Sequence, residues 1–428
     1  MLNITRLLQI GEGSPGRGNA EKRPVSEAPP SPVRVPPPAV VVWNTTRQCN
    51  LRCRHCYAAA TARPDPLELT TDEGFALIDE LARTGVASLV LSGGEPLLRA
   101  DLGRLARRAA EAGLHVALST GGTLLDAATA RELRAAGVQY VGVSIDGLRA
   151  RHDQMRGVTG SFGLALSGLR RAREAGLRVG LRFTLTRTTL PDLERVLDLM
   201  EDERVDRGYV SHLVHVGRAR RLSGEALAPR EARRAVETIF ARAETWRRRG
   251  LPAELVTGNN DADGVALYLW TRRRCQAAAG RIRRHLAARG GNATGVAIAS
   301  VDSRGDVHPD QFWAHATLGN IRERAFGAIW RDTSDPLLAA LRARRRPIGG
   351  RCSDCDYLDL CGGGNRARAE ALTGDLWAPD PGCHLTDREV GIGEIEHHGR
   401  NGDEALDAGA RRGADDLAPR ECAPAGPE

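Results

Sequence analysis

Residues 39–57, AVVVWNTTRQCNLRCRHCY, join a short apolar run to three closely spaced cysteines. The run has the β-branched and aromatic composition of a buried strand. Cys49, Cys53 and Cys56 follow it on one loop, separated by three and then two residues. Thiolates at this spacing can hold three corners of a four-iron cluster, which normally takes four. One iron then stays open for a ligand; a zinc site with a remote fourth ligand is the alternative.

Apolar runs alternate with Ala-, Leu- and Arg-rich stretches of helical periodicity from residue 39 to residue 214. This alternation predicts an α/β fold with a parallel sheet and right-handed crossovers. Six units are too few for an eight-stranded barrel, so we expect a partial (β/α)6, TIM-like barrel with its chemistry at the carboxyl ends of the strands. The expected strands are Ala39–Trp43, Ser88–Leu91, His115–Ser119, Tyr140–Ile145, Arg178–Leu185 and Gly208–Val214, and clear helices between them are Asp101–Ala112 and Asp126–Ala136.

The composition divides the chain into four expected parts. A Pro- and Gly-rich opening predicts a flexible segment, and a Gly-, Ala- and Asp-rich end with few apolar residues predicts a disordered tail. Between them we expect a catalytic core and a separate C-terminal module that contains a long helix, Pro229–Arg249, and a hairpin of Gly295–Val301 with Asp306–His308. The four parts are residues 1–38, 39–228, 229–390 and 391–428.

A second cysteine group lies in the C-terminal module, at Cys352, Cys355, Cys361 and Cys383. Four thiolates on one compact unit fit either a fully ligated four-iron cluster or a structural zinc ion, and spacing alone does not separate the two. The two remaining cysteines have no other cysteine near them in the sequence. We interpret Cys275, in a basic helical stretch, as a buried or incidental thiol, and Cys422, in the tail, as an incidental one.

Charge and hydropathy exclude several classes of protein. The formal net charge is +7, but the basic residues are mixed with acids and no basic run is interleaved with aromatics, so we expect an anionic small substrate and no nucleic acid. No stretch approaches the ~20 apolar residues that span a bilayer, and no signal peptide is evident. We therefore expect no membrane contact and a cytoplasmic location, where clustered cysteines are metal ligands more often than disulfides.

Two further motifs fall at expected strand ends and match a known family. Ser92-Gly93-Gly94-Glu95-Pro96 follows the second strand and Ser144-Ile145-Asp146-Gly147 ends the fourth. Together with the cysteine loop they resemble the radical S-adenosylmethionine (SAM) superfamily. The resemblance implies that the open iron chelates the methionyl group of SAM, whose reductive cleavage gives a 5′-deoxyadenosyl radical.

The resemblance also implies a set of cofactor-binding residues. Gly93, Gly94 and Glu95 are expected to hold the methionine amino group, since paired glycines admit close backbone approach and a carboxylate neutralises an ammonium. Ser144 and Asp146 correspond to the segment that contacts the ribose and the carboxylate, and His55 to the position whose backbone faces adenine. Arg156 and Arg182 are expected partners for the methionine carboxylate, with solvated arginines as the alternative. Gly121 stands where relatives often carry Asn, so we assign no polar contact to it.

The second cysteine group resembles the C-terminal extension of SPASM/twitch radical SAM enzymes. This implies a four-iron auxiliary cluster on its four cysteines rather than zinc. Full SPASM domains carry a further cysteine after the hairpin, where this chain has Val307-His308-Pro309-Asp310. We therefore expect one auxiliary cluster and not two.

Segments between the two cysteine groups resemble one subgroup, the radical SAM proteins of haem d1 biosynthesis (pre-haem d1 synthases). They are Thr257–Gly264, Gly290–Asn292, Gly305–Trp313, Leu318–Arg322 and Thr373–Pro381. The resemblance implies an iron-containing tetrapyrrole, 12,18-didecarboxysirohaem, that loses propionate side chains, and an electron donor such as ferredoxin or flavodoxin. Sister enzymes that remove acetates from didecarboxysirohaem or decarboxylate Fe-coproporphyrin III remain open, as do a SPASM peptide maturase and a non-catalytic iron–sulfur or zinc scaffold.

Candidate substrate-binding residues follow from the chemistry of the implied substrate. An anionic tetrapyrrole needs cations, hydrogen-bond donors and flat apolar surfaces, and we expect these near the mouth of the barrel. The candidates are His212, His215, His308, His315, Phe312 and Trp313; His212, His308 and His315 are the candidate catalytic residues, and His308 or His315 is a candidate ligand of the substrate iron. Ordinary surface or core histidines are the alternative for each.

Overall fold

The computed structural model describes residues 1–13 and 35–392, and its centre is one twisted sheet of eleven strands. Seven of them, β2 to β8, run parallel in chain order, and β9 pairs in parallel with β2 on the other side. The strands are β1 (Leu2–Asn3), β2 (Val40–Asn44), β3 (Ser88–Ser92), β4 (His115–Thr120), β5 (Tyr140–Ser144), β6 (Arg178–Leu185), β7 (Arg207–His212), β8 (Glu254–Gly258), β9 (Ile298–Val301), β10 (Asp306–His308) and β11 (Gly319–Asn320).

Fourteen α-helices are present among the described residues, most of them as crossovers between the parallel strands. They are α1 (Ile4–Gly11), α2 (Thr71–Thr84), α3 (Leu102–Glu111), α4 (Ala127–Ala135), α5 (Arg149–Arg156), α6 (Ser161–Glu174), α7 (Leu193–Asp202), α8 (Pro229–Arg248), α9 (Ala262–Arg272), α10 (Gln276–Arg289), α11 (Phe326–Trp330), α12 (Pro336–Arg342), α13 (Leu358–Cys361) and α14 (Arg366–Thr373). Within the described residues, none of them combines the length and apolarity needed to cross a lipid bilayer.

Local sequence explains the first crossover helix well. Thr70 accepts a hydrogen bond from the Glu73 amide, and the Glu73 carboxylate accepts one from the Thr70 amide, which is a capping box at the start of α2. The helix ends at Gly85, whose left-handed φ of 92° suits a residue without a Cβ. Its buried face packs against the sheet, with Leu77 and Leu81 at most 2% exposed.

The expected fold class is confirmed, and each of the six expected strands is present with its ends within two residues of the expected ones. The sheet, however, continues past the boundary that we placed at residue 228. β8 adds a seventh consecutive parallel strand beside β7, and the expected hairpin, β9 with β10, attaches to β2. The open sheet therefore draws on residues from both sides of the expected boundary.

The expectation of a flexible opening is wrong for residues 2–11, which form β1 and α1. β1 pairs antiparallel with β8, and α1 packs Ile4 and Leu7, 0% and 4% exposed, into the core. The Asn3 side chain caps α1 by accepting a hydrogen bond from the Arg6 amide (2.9 Å). So short a helix is stabilised mainly by its tertiary contacts, which the composition of residues 1–38 as a whole conceals. Our expectations for residues 14–34 and 393–428 lie outside the described residues.

Ile4→Ala tests whether the opening helix is part of the folded unit. Because Ile4 is fully buried, its truncation should lower the free energy of unfolding by about 2–5 kcal/mol, measured by urea denaturation followed by circular dichroism. Leu164→Ala is the matched control, since Leu164 is 54% exposed and its truncation should change that free energy by no more than about 0.5 kcal/mol. Equal stabilities of Ile4→Ala and wild type would contradict the packing of α1.

Candidate active site

The loop that follows β2 carries the first three cysteines and turns its amide groups towards their sulfurs. The Leu51 amide donates to Cys49 Sγ (3.4 Å) and the Ala60 amide to Cys56 Sγ (3.5 Å). Arg156, from the last turn of α5, places its Nη1 at 3.4 Å from the Sγ of Cys53. Amide and guanidinium donors around sulfur favour the thiolate form, which is the form that binds metal.

Burial opposes ionisation of these thiols in the absence of a metal. It raises the pKa of Cys49 to about 12, and the neighbouring Cys53 and Cys56 raise it further, while the Leu51 amide lowers it. Burial likewise raises the pKa of Cys53, although Arg156 opposes the change. Across residues 1–13 and 35–392, no group of three or more His, Cys, Asp or Glu side chains brings its donor atoms together as tightly as around a bound ion. The loop nevertheless suits a cluster chemically, because it offers three thiols whose sulfurs accept hydrogen bonds from amide and guanidinium groups.

The Gly-Gly-Glu segment after β3 lies directly against the cysteine loop. The Gly94 amide donates to the Thr46 carbonyl and the Glu95 amide to the Gln48 carbonyl, each at 2.7 Å. A Cβ on Gly93 would lie 2.5 Å from the Thr46 carbonyl oxygen, and one on Gly94 would lie 2.2 Å from that of Gln48. Only glycine permits this approach, so the two glycines set the distance between the segment and the loop.

Glu95 is almost fully buried, and the protein already uses much of its hydrogen-bonding capacity. It accepts hydrogen bonds from the Thr120 hydroxyl (2.7 Å), the Gly121 amide (2.8 Å) and the Leu97 amide (3.1 Å). Burial raises the pKa of Glu95 although these bonds oppose the change. Glu95 thus ties the end of β3 to that of β4 and also lines the central cavity. The Gly121 amide is a polar contact that the sequence did not predict.

Asp146 is buried behind the cysteine loop and does not line the cavity, in contrast to Ser144, which does. Its Oδ2 lies 2.5 Å from Arg156 Nη2 and 3.0 Å from His55 Nε2. Burial by itself raises the pKa of Asp146, but Arg156 and His55 more than offset it and hold that pKa below its usual range. The structure therefore brings together three residues that we expected at SAM and links them to each other. An imidazole role for His55, as partner of Asp146, was missed because nothing in the local motif indicates it.

A cavity of about 500 Å³ is lined by residues from the cysteine loop to the opposite end of the parallel strands. In its interior Arg182 lies over the ring of Tyr209, 5.2 Å from the centroid, and donates to the Ser119 hydroxyl. Arg182 forms no ion pair with the residues that the structure describes, whereas Arg156 is paired with Asp146. Of the residues expected at the site, the cavity wall includes Cys49, Cys53, Cys56, His55, Gly93, Gly94, Glu95, Ser144, Arg156, Arg182, His212 and Phe312.

His212, at the end of β7, is held in the cavity wall by a buried carboxylate. Its Nε2 lies 3.1 Å from Asp263 Oδ2, and His384 Nε2 lies 2.9 Å from the other oxygen of Asp263. Burial raises the pKa of Asp263, but His212 and His384 outweigh it and hold that pKa below its usual range. Since His384 follows Cys383 in the chain, this buried network connects the cavity to the second cysteine group.

The other candidate histidines do not reach the cavity. His308 is 3% exposed and donates from Nδ1 to the Ala316 carbonyl (2.9 Å), and His215 is 2% exposed. His315 stacks on Trp313 (5.6 Å between centroids) and pairs with Glu370 (2.7 Å). Neither His308 nor His315 lines the cavity, because His308 contacts Ala316 and Asp302 within the hairpin region and His315 contacts Trp313 and Glu370.

The second cysteine group lies against the barrel with amide and arginine donors at its sulfurs. The Tyr357 amide donates to Cys355 Sγ (3.4 Å), the Gly363 amide to Cys361 Sγ (3.3 Å) and Arg351 Nη1 to Cys383 Sγ (3.3 Å). Burial raises the pKa of Cys352, Cys355 and Cys361, and nearby thiols raise each further. Four such thiols fit a fully ligated cluster.

The remaining cysteines and the segment Thr257–Gly264 complete the description of the site. Cys275 is not a free thiol in the structure, and its Sγ accepts a hydrogen bond from the Ala278 amide (3.4 Å) at the start of α10. Cys422 lies outside the described residues. The segment Thr257–Gly264 contains the end of β8 and the start of α9, and it supplies Asp263 to the histidine network. The polar residues of this segment therefore belong to the site.

Comparison with known proteins gives two family matches. The profile described as "Radical SAM superfamily" matches residues 43–212. The SPASM profile, described as "Iron-sulfur cluster-binding domain", matches residues 295–356, a range that includes Cys352 and Cys355. The first match begins in β2 and ends in β7, and so covers the strands whose carboxyl ends carry the cysteine loop, the glycines and His212.

Two curated relatives resemble most of the chain at similar identity. The pre-heme d1 synthase of Dinoroseobacter shibae is 46% identical over 85% of this chain and 90% of its own length. The Fe-coproporphyrin III synthase of Methanosarcina barkeri is 44% identical over 83% of this chain and 90% of its own length.

Solved structures share the fold at much lower identity. SuiB of Streptococcus suis, bound to S-adenosylmethionine, superposes with a TM-score of 0.63 at 18% identity, covering 81% of this chain and 77% of SuiB. The structure of anSMEcpe with bound AdoMet superposes with a TM-score of 0.63 at 17% identity, covering 82% of this chain and 96% of anSMEcpe.

The buried carboxyl of Asp310, in the cavity wall, makes the unfolding free energy depend on pH in a way that can be tested. It lines the cavity, accepts hydrogen bonds from the Thr294 hydroxyl and the Phe312 amide, and burial raises its pKa from 3.8 to about 6. The folded protein then binds more protons than the unfolded chain between about pH 4 and pH 6, so this carboxyl lowers the unfolding free energy as pH rises through that window.

Asp310→Asn should therefore raise the unfolding free energy at pH 7.5, by at most about 3 kcal/mol, and flatten its dependence between pH 4 and pH 6. Urea denaturation at several pH values measures this, with Asp72→Asn on the exposed start of α2 as the control. An unchanged pH dependence in Asp310→Asn would mean that this carboxyl is ionised in the folded protein like any exposed one.

Identity of this level over most of both chains, with the two profile matches and the three-cysteine loop at the carboxyl end of β2, shows the family. Its cofactors are a four-iron cluster with SAM and, through the SPASM domain, auxiliary iron–sulfur chemistry. The chain is an enzyme of the radical SAM superfamily and belongs to the SPASM-bearing group that includes these haem-biosynthesis enzymes.

Proposed function

We propose that the chain is the radical SAM enzyme of haem d1 biosynthesis that removes propionate side chains from 12,18-didecarboxysirohaem. The observation that carries this proposal is the cavity, which is lined by the three-cysteine loop, by Arg182 and by the carboxylate-held His212. A volume of about 500 Å³ is in the range of cofactor-sized sites. The relative with 46% identity supports the choice of tetrapyrrole.

Residues of the loop and of the strand ends are proposed to hold the cofactors. Cys49, Cys53 and Cys56 would bind the four-iron cluster, and their sulfurs already face amide and guanidinium donors. The cluster and SAM, when bound, supply the 5′-deoxyadenosyl radical. Gly93, Gly94, Glu95 and Ser144 line the adjacent wall and would contact SAM, as would Arg156 and the backbone at His55, with Asp146 holding both from behind.

Arg182 is the cation best suited to a carboxylate bound in the interior of the barrel. Its guanidinium is fixed from below by the Tyr209 ring and from the side by the Ser119 hydroxyl, and Gly142 leaves room for its stem, since a Cβ there would lie 3.0 Å from Arg182 Cδ. A guanidinium held in this way can donate two parallel hydrogen bonds to a carboxylate. It would therefore orient an anionic substrate or the methionine carboxylate.

The second candidate function is a sister reaction on the same scaffold. The relative with 44% identity is named Fe-coproporphyrin III synthase, and one with 33% identity over 81% of the chain is named AdoMet-dependent heme synthase. Acetate removal from didecarboxysirohaem, or decarboxylation of Fe-coproporphyrin III, would use the same cysteines and the same cavity.

One anaerobic assay separates these reactions. Reconstituted protein is incubated with SAM, dithionite and either 12,18-didecarboxysirohaem or Fe-coproporphyrin III, and products are read by mass spectrometry. The proposal predicts loss of propionate-sized fragments from didecarboxysirohaem and 5′-deoxyadenosine formation that depends on it. Loss of acetates, or loss of carboxyl groups from Fe-coproporphyrin III, would assign the sister reaction instead.

Cys355 tests a role for the auxiliary site, whose cysteines we propose as Cys352, Cys355, Cys361 and Cys383. If its cluster accepts the electron left on the substrate after fragmentation, Cys355→Ser should abolish product and leave reductive cleavage of SAM intact. Both products are quantified in the same anaerobic reaction. Loss of SAM cleavage together with product would exclude the electron-accepting role.

Asp263→Asn tests the positioning of His212. The amide can keep one hydrogen bond but cannot accept from both histidines as a carboxylate does, so His212 should lose its fixed orientation. Product formation should fall on the order of 10-fold or more while SAM cleavage continues. His308→Ala, at a histidine outside the cavity, is the control. Equal product yields from Asp263→Asn and wild type would exclude a role of Asp263 in positioning His212.

A further inference from the structure

A short arginine-rich turn packs against the three-cysteine loop. It is the 3₁₀ turn Gly217–Arg221, which follows β7. The Arg218 side chain donates to the carbonyls of Cys53 (2.8 Å) and Ala60 (2.6 Å), and its amide donates to the Cys56 carbonyl (3.0 Å). The turn is thus fastened to the backbone of two of the cysteines.

The contact between the turn and the loop is as close as backbone allows. Gly217 has a φ of 58°, and a Cβ there would lie 2.5 Å from the Cys56 carbonyl oxygen and 2.3 Å from that of Tyr57. A side chain at this position would push the turn away from the loop. A protein that docks on the turn therefore sits one layer of backbone from the cysteine sulfurs.

The outward side of this layer is cationic. Arg220 and Arg221 on the turn and Arg52 in the loop are exposed, and none of the three has an ion pair recorded among the described residues. The nearest acidic group on the same segment, Glu225, is engaged by the Thr188 amide (2.9 Å) and hydroxyl (2.8 Å) and lies 3.7 Å from Arg54. We call Arg52, Arg220 and Arg221 the arginine rim.

We propose that the arginine rim is the docking surface for a small acidic electron-carrier protein that delivers one electron to the cluster on the three-cysteine loop. This inference rests on the proposed function, because only reductive cleavage of SAM requires that electron. In the transfer the carrier is oxidised by one electron and the four-iron cluster is reduced by one, with no bond made or broken. The cysteines of the loop line the cavity, whereas the three arginines of the rim do not line it and are exposed to solvent, so a protein can approach the loop at the rim.

Charge complementarity is the physical basis of the docking. Opposite charges on two protein surfaces mainly accelerate and orient encounter, and the effect weakens as salt screens it. A rim of guanidinium groups suits the carboxylates of an acidic flavodoxin. The same groups have no role in the use of dithionite, which is a small anion that reduces clusters without docking.

The test compares two reductants in one variant. Arg220→Glu/Arg221→Glu reverses the rim and leaves Arg218, which holds the turn, unchanged. With reduced flavodoxin, the flavodoxin concentration for half-maximal SAM cleavage should rise about tenfold or more at low salt. With dithionite, the rate of SAM cleavage should stay at the wild-type value. Arg131→Glu/Arg134→Glu on the exposed face of α4 makes the same charge change elsewhere and should behave as wild type with both reductants.

Direct binding gives a readout that does not depend on turnover. Oxidised flavodoxin should bind the reconstituted wild-type protein with an affinity that falls steeply with salt, and Arg220→Gln/Arg221→Gln should bind more weakly and with a shallower salt dependence. If the rim variants match the α4 control in flavodoxin affinity and in flavodoxin-driven rate, the rim is not the docking surface. If wild-type protein fails to cleave SAM even with dithionite, the proposed function fails instead.

Discussion

The buried carboxylate of Asp146 is the constraint on which the arrangement of the site depends. It is fully buried and is shared by Arg156 and His55, while its other oxygen accepts a hydrogen bond from the Thr184 amide of β6 (2.8 Å). A buried carboxylate without partners would cost several kcal/mol, so α5, the cysteine loop and β6 must meet around it. Arg156 then reaches Cys53 from this anchored position. The position of the cysteine loop is thus set by electrostatics behind it and by the glycines of the Gly-Gly-Glu segment beside it.

A second buried ion pair joins the C-terminal residues to the barrel. Arg368 pairs with Asp380 (2.7 Å), both almost fully buried, and also donates to the Leu213 carbonyl after β7 (3.1 Å). Asn260 at the end of β8 donates to the Gly382 carbonyl, next to Cys383 (2.8 Å). Together with the histidine network around Asp263, these contacts place the second cysteine group against the strand ends that form the cavity. The auxiliary thiols are therefore part of the architecture of the site and not of an independent appendage.

Much of the fold could be predicted because its signals are local. Each parallel strand from β2 to β7 is a compact apolar run between helical stretches, and such a run is visible without knowledge of its partners. β8 and β1 escaped prediction for the opposite reason. β8 has only two apolar residues, Leu255 and Val256, and β1 has two residues in all, so both strands are recognisable only through pairing with each other and with β7. Strand pairing between residues this far apart in the chain has no local pattern.

The sequence by itself determined which chemical groups stand at the strand ends. The cysteine loop follows β2 and the paired glycines follow β3. Successive parallel strands end at the same edge of a sheet, so strand polarity alone places the two motifs side by side. Only the tertiary structure decided which side chains face the cavity. In the structure His212 lines the cavity and His308 and His315 do not, and the Asp146 side chain pairs with His55 instead of lining the cavity. The physical reason is that burial and ion pairing depend on neighbours from distant segments, whereas motif spacing depends on the chain alone.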